Sequence, residues 1–215
     1  MSILFFQYWD VIQGKEAEHS RYVINTYLPE ITTLGFVPVG GYYVEVGFGP
    51  RIIAAFSSES LNDISKIVTG KSFKDLTLAL KKYVINFKNL ILEPDGTVQL
   101  GRYPIQKGVW KYNQYYDIRP EMKSEYEHFV INEYLPAMQK IEYGKVTNCW
   151  NVVLGGFCEI VLESTFKDSE DIGRLLRNEE FRKVTGRLKR EFVTNYTNRI
   201  LRSTKLFSEP RWFTL

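Results

Sequence analysis

Gln7-Tyr-Trp-Asp-Val-Ile12, followed by Val23-Ile-Asn-Thr-Tyr-Leu-Pro29, is written twice in this chain: it returns as Gln114-Tyr-Tyr-Asp-Ile-Arg119 and Val130-Ile-Asn-Glu-Tyr-Leu-Pro136. The offset is 107 residues throughout, so strand, loop and helix keep their lengths in both copies. Tyr83-Val-Ile-Asn-Phe-Lys-Asn-Leu-Ile-Leu92 comes back as Phe192-Val-Thr-Asn-Tyr-Thr-Asn-Arg-Ile-Leu201, now 109 residues on. Two signals in the same order at nearly the same spacing indicate a tandem duplication of a whole unit, and two long copies argue for a pair of like domains rather than a solenoid. The expected boundaries are 1–95 for the first repeat, 96–107 for a linker, 108–202 for the second repeat and 203–215 for a tail.

Within each copy the hydrophobic period changes along the chain. Ile3 to Val11 is aromatic and β-branched and alternates in faces, Phe5, Gln7, Trp9, Val11 against Leu4, Phe6, Tyr8, Asp10, as a pleated strand does. The corresponding faces in the second copy are Tyr112, Gln114, Tyr116, Ile118 and Lys111, Asn113, Tyr115, Asp117. The glutamine face stays aromatic in both, which marks it for packing against helices. Val23, Ile24, Tyr27, Leu28, Ile31 and Leu34 then share one side of a helix, and Pro29 is expected to kink it or to end its first part near Leu28. Two strand-like runs flank Gly47-Phe-Gly-Pro50, as a hairpin requires. Its counterpart runs from Lys145 to Val153 and from Phe157 to Glu163 around Gly155-Gly156. Ser60 is placed to cap a helix through Ile64 and Ile67. Gly70, and Asn178 in the second copy, divide that helix in two, and Asn86 to Leu92 forms the last strand.

The order is β-α-β-β-α-β, twice, which is a ferredoxin-like unit of the α+β class. Both helices lie on one face of such a sheet, so the other face is bare and must be covered; the second repeat is available to cover it.

Composition is that of a globular protein with a sizeable core: 44% hydrophobic and 25% charged residues. Lys plus Arg number 28 against 25 Asp plus Glu, a net +3 that does not argue for nucleic acid. No apolar run approaches the roughly 20 residues that span a bilayer, and the first residues lack a secretion signal, so no membrane association and a cytoplasmic location are expected. Cys149 and Cys158 are expected as free thiols, because the hairpin register sets them opposite other residues. Between Asp171 and Lys205 ten cations, Arg199 among them, meet four carboxylates; a solvated helix face accounts for this surplus. The tail, ending Pro210-Arg-Trp-Phe-Thr-Leu215, is apolar enough to pack on the body or on another copy, which would give a homo-oligomer.

The chain resembles the dimeric α/β-barrel superfamily, in which two ferredoxin-like units pack sheet to sheet into a barrel wrapped by helices, here within one chain. Leu34-Gly-Phe-Val-Pro-Val-Gly-Gly-Tyr-Tyr43, Ile52-Ile-Ala-Ala-Phe56 and Ser60-Leu-Asn-Asp-Ile64 are similar to NIPSNAP proteins. The proline-bearing helix, His19 and the Tyr8-Trp9 pair resemble EthD-like barrels. The resemblance implies a small ligand between sheet and helices. Its relatives include cofactor-free monooxygenases, haem-degrading enzymes, lactone isomerases and proteins with no known activity.

Motifs for a phosphate loop, CxxC, HExxH and GxSxG are absent from the sequence. His19 aligns with Tyr126 and His128 with Arg21, so the histidines are not one duplicated site. Each falls at the edge of an apolar stripe, where a partly exposed surface histidine is expected; the alternative is a single haem or metal ligand, or a general base, in one half only, with His19 the candidate catalytic residue. Asp10 and Asp117 end equivalent strands, as turn residues or as general bases. Gln7 and Gln114 sit mid-strand among aromatics and need buried hydrogen-bond partners, which a protein group, a water or a ligand could supply. Gln7, Tyr8, Trp9, Gln114, Tyr115 and Tyr116 are therefore the expected ligand-binding set, for a small hydrophobic or aromatic molecule. No metal and no cofactor are expected, with haem left open. The activity this suggests is a cofactor-independent oxygenase or isomerase; the alternative is a non-enzymatic interaction or structural module.

Overall fold

The computed structural model describes residues 3–98, 103 and 109–203. Of the expected linker only residues 96–98 and 103, and of the expected tail only Ser203, lie within them. The first half of the chain runs β1 (Ile3–Val11), α1 (Glu16–Tyr22), α2 (Leu28–Thr33), β2 (Val37–Val46), β3 (Ile52–Ser58), α3 (Leu61–Thr69), α4 (Lys71–Leu80) and β4 (Val84–Pro94). The second runs β5 (Trp110–Ile118), α5 (Lys123–Phe129), α6 (Leu135–Gln139), β6 (Gly144–Leu154), β7 (Ile160–Phe166), α7 (Ser169–Arg177), α8 (Glu179–Arg187) and β8 (Val193–Ser203).

The eight strands close into one barrel in the order β1-β3-β2-β8-β5-β7-β6-β4. Two seams join the halves: β2 to β8, with Val44 opposite Leu201, and β4 to β6, with Leu92 opposite Val152. Every neighbouring pair is antiparallel. Four antiparallel steps separate β1 from β5, so these two strands point the same way and the halves are related by rotation about the barrel axis. One end, here the mouth, gathers the ends of β1 and β5 and both hairpin turns. The opposite end, the base, gathers the starts of β1 and β5 and the ends of β4 and β8.

Alternation along β1 and β5 sorts side chains into three cores. Phe5, Trp9, Ile52 and Ala54 pack with Tyr27 and Ile31 beneath the first pair of helical layers. Tyr112, Tyr116 and Leu162 pack with Phe129 and Tyr134 beneath the second. Leu4, Phe6, Tyr8, Ile53 and Ala55 meet Tyr115, Trp150 and Leu201 inside the barrel. Each fully buried aliphatic or phenyl side chain contributes roughly 1.5–3 kcal/mol relative to exposure. Both faces of the strands are thus covered, which is why Leu4 to Trp9 are buried without a break.

The proline helix departs from expectation. It does not stop near Leu28 but runs on: between α1 and α2 the backbone makes one π turn over Val23–Tyr27, with the Leu28 N–H bonded to the Val23 carbonyl. Pro29 follows two residues after this turn, so the ladder shifts from four-residue to five-residue spacing just where the proline's missing N–H would interrupt it. Val130–Tyr134 and Pro136 repeat the device. The second hairpin also differs, because Phe157 lies in the turn and β7 begins at Ile160. The Asp117 carboxylate accepts from the Glu159 N–H at 2.8 Å and holds the turn open beyond Gly155, whose φ is +83°. Ser60 caps α3 through the Asp63 N–H as expected, and Asn178 caps α8 through that of Phe181. Both cysteines are free thiols. Among the described residues no helix is long and apolar enough to cross a membrane.

Candidate ligand site inside the barrel

The glutamines serve as staples between sheet and helix. The Tyr27 hydroxyl donates to Gln7 Oε1 at 2.6 Å, and Gln7 Nε2 donates to Asn89 Oδ1 at 3.2 Å. In the second half Tyr134 donates to Gln114 Oε1 at 2.6 Å and Gln114 Nε2 to the Tyr196 hydroxyl at 2.8 Å. Burial pushes both tyrosine hydroxyls well above their ordinary range, so they stay protonated donors.

His19 is fully buried, not at the surface. Its Nε2 accepts from the Trp9 indole N–H at 3.1 Å, which draws the imidazole under the helix. Burial lowers its pKa to about 4, so it is neutral at pH 7. His128 is exposed, as expected. Asp10 accepts from the Arg51 N–H at 2.7 Å and from Asn86 Nδ2 at 2.9 Å. Asp117 does the same with Glu159 and, at 2.7 Å, Asn195. Both carboxylates tie a strand end to a hairpin and to a bulge.

The six expected ligand residues therefore face two ways. Gln7, Trp9, Gln114 and Tyr116 look toward the helices, whereas Tyr8 and Tyr115 lie in the barrel interior. A haem in the helical layers would need an axial side chain such as His or a Cys thiolate, and neither His19 nor Cys149 is ready to serve. His19 Nε2 already accepts from the Trp9 indole N–H, and burial pushes the Cys149 thiol far above its ordinary range, which keeps it protonated.

The interior has one apolar and one polar wall. Leu4, Phe6, Ile53, Ala55, Leu90 and Leu92 come from the first half. Where the first half has Leu4 and Phe6, the second has Lys111 and Asn113, and Asn148, Glu163 and Arg199 join them, all buried. Toward the base, Lys111 Nζ lies 2.6 Å from Glu163 Oε2. The Tyr103 hydroxyl donates to the same oxygen at 3.0 Å and accepts from Lys111. Thr147 and Asn148 donate to Glu163 Oε1 at 2.9 and 3.2 Å. Burial alone would lower the Lys111 pKa, but the Glu163 charge reverses this and leaves it raised. Tyr103 is pushed up by burial and by Glu163. Truncating either member of such a pair typically costs about 3–5 kcal/mol, because it strands the other charge.

Toward the mouth, Arg199 is 1% exposed. Its guanidinium carbon lies 4.2 Å from the Phe48 ring centre, 4.9 Å from Phe157, 5.0 Å from Tyr115 and 5.3 Å from Tyr8. Phe48 and Phe157, from the two hairpin turns, meet edge to face at 4.8 Å and are 39% and 42% exposed. Gly47 and Gly49 make room: a Cβ on Gly49 would stand 2.8 Å from Arg199 Nη2. Arg199 Nε and Nη1, Asn113 Oδ1 and Trp150 Nε1 are buried with no hydrogen-bond partner.

Arg199 corrects the sequence reading most sharply, since it belongs to an inward strand position and not to a solvated helix face. Lys111, Asn113, Tyr103, Trp150 and Glu163 were not singled out either. Lys111-x-Asn113-x-Tyr115 on the face away from the helices carried the signal, because that face had to be buried once a second sheet covered it.

No family model and no curated protein matches this chain. Solved structures do. A chlorite dismutase mutant from Candidatus Nitrospira defluvii, in complex with cyanide, is similar with a TM-score of 0.62 at 10% identity, covering 93% of this chain and 90% of that one. A candidate monooxygenase from Lactobacillus acidophilus NCFM gives 0.61 at 12% identity, covering 94% and 93%. An anthrone oxidase-like protein gives 0.56 at 11%, covering 94% and 90%. At these identities the likeness is one of fold, and it extends over nearly the whole length of each chain: two ferredoxin-like units joined as an α/β barrel.

Proposed function

We propose that this chain binds a small molecule with an apolar or aromatic body inside the barrel, between the Leu4/Phe6/Leu90 wall and the Asn113/Trp150/Arg199 wall. The observation that carries this reading is the set of buried polar atoms left without partners on the second wall. Native proteins satisfy nearly all such atoms, so each needs an explanation; an apolar enclosure with a few convergent polar groups is how small-molecule sites are built. Proteins of this fold described as an oxidase-like protein and a candidate monooxygenase make cofactor-independent oxygenation, or isomerisation, the activity to assay. Tyr103, bonded to both Lys111 and Glu163, is the group that would hold or move a proton. We further infer that the halves arose by tandem duplication, on the strength of motifs repeated 107 and 109 residues apart, of a unit that is NIPSNAP-like in its Leu34–Tyr43 and Ser60–Ile64 stretches.

Adjacent alanines separate the two candidate compartments, since Ala55 lies in the barrel core and Ala54 beneath the helices. The experiment is ligand-observed NMR on a panel of aromatic metabolites, preceded by native mass spectrometry for a retained molecule. Ala55→Leu is expected to abolish binding and Ala54→Leu to preserve it. The reverse pattern would move the site to the helical layer and overturn the proposal.

A further inference from the structure

We infer that the interior site takes an anion, a carboxylate carried on an aromatic or apolar body, with Arg199 as its counter-charge. This rests on the barrel-interior reading and adds the chemical class of the ligand.

A guanidinium stays protonated in proteins, so its burial cannot be relieved by losing a proton. The same interior holds a second buried cation, Lys111, and supplies it with Glu163, a tyrosine and two further donors to that carboxylate. Arg199 receives nothing comparable. Every acidic group near it is committed or neutral. Asp10 and Asp117, at the same end, are engaged by backbone N–H groups and by Asn86 and Asn195. Glu163 belongs to Lys111. Burial, the largest influence on each, raises the Tyr8 and Tyr115 hydroxyls above their ordinary range and the Cys158 thiol to about 12, which leaves all three uncharged at pH 7. The four surrounding rings answer part of the charge through their π faces. They cannot accept from the N–H groups on Nε and Nη1, which have no partner. A carboxylate can, and carboxylates are what guanidinium donors match best in shape and charge. Phe48 and Phe157 close over the guanidinium in edge-to-face contact at 4.8 Å, and being half-exposed on the two hairpin turns they are the side chains a ligand would part to reach it, offering ring faces to a flat aromatic body.

The test titrates wild-type protein with sodium benzoate and with benzamide, its uncharged isostere, at fixed ionic strength, and repeats both on Arg199→Met and Arg199→Lys. Benzoate is expected to bind wild type at least ten-fold more tightly than benzamide, to lose that preference in Arg199→Met and to keep part of it in Arg199→Lys. Equal binding of the two compounds to wild type overturns the anion inference and leaves the barrel site standing. A preference for benzoate that survives in Arg199→Met removes Arg199 as the counter-charge. Competition of sodium chloride or phosphate with benzoate at equal concentration overturns the carboxylate in favour of a bare inorganic anion. If neither compound binds wild type while a neutral member of the metabolite panel does, the anion inference falls and the barrel reading stands; if the whole panel fails, both fall. Should Arg199→Met not fold, the comparison on wild type and on Arg199→Lys still decides.

Discussion

Trp9 and His19 form a buried pair that the second half of the chain replaces with Tyr116 and Tyr126, whose hydroxyls lie 3.0 Å apart. The two solutions fill the same place under a helix but differ in titration. The folded His19 pKa of about 4 lies below the ordinary 6.5, so protonation favours the unfolded chain. The stability this group contributes is complete above pH 6.5 and is lost as pH falls toward 4, reaching a loss of roughly 2 kcal/mol at pH 5. Replacing His19 by Tyr, the residue its counterpart carries, should flatten that part of the profile. Urea midpoints at pH 7.5 and pH 5 check this: the wild-type midpoint should fall more than that of His19→Tyr, and equal falls would assign the sensitivity elsewhere. Asp10 and Glu16 line the same cleft of about 390 Å3 that His19 borders, so the difference between the two proteins, and not either curve alone, is the quantity to read.

Among the elements, β4 and β8 carry matching bulges. Asn86 and Asn195 have φ of +56° and +51°, and each reaches across to the aspartate that ends the neighbouring strand. A left-handed backbone costs a residue with a Cβ about 1–2 kcal/mol, and the charge-assisted bond to Asp10 contributes about another 1.5 kcal/mol or more. Asn86→Gly loses only the bond, whereas Asn86→Ala loses the bond and meets the backbone cost. Alanine should therefore be the more destabilising by about 1 kcal/mol in chemical denaturation, and equal effects would show that the bulge relaxes. The asparagines were visible in the sequence as a recurrence, but their backbone conformation was not. Nothing in the spacing of Tyr83 to Leu92 marks where a strand skips a partner, since that is decided by the register against β1. The prolines behave in the same way. Their effect on the helix depended on a π turn that ends two residues earlier, which hydrophobic period does not report.

At the scale of the molecule, closure of the barrel makes each half incomplete. Residues 1–95 alone would expose Leu4, Phe6, Ile53, Leu90 and Leu92 and leave β2 and β4 as open edges, paired only with β3 and β1. In the intact chain β2 pairs with the last strand of the other half and β4 with that half's β6, so two copies of 1–95 can satisfy each other through the same seams. The fragment should run as a dimer in sedimentation, and a folded monomer would contradict the requirement for a covered inner face. The repeat, the element order and the outward face of Gln7 and Gln114 were legible because period and spacing record them directly. The polar wall was not. Alternation separates one face of a strand from the other, but a lysine that faces a second sheet and a lysine that faces water produce the same pattern; Lys111 and Arg199 could be told from surface residues only once the sheet had closed on itself.

That closure also gives the molecule a direction. The starts of β1 and β5 and the ends of β4 and β8 share one end, while Phe48 and Phe157 stand at the other. Ile3, Pro94, Trp110 and Ser203, where the described strands begin and end, therefore all lie on the side away from the aromatic rings. Anchoring the protein to a bead or sensor by a tether joined at Ile3 or at Ser203 would present the Arg199 end outward to solution.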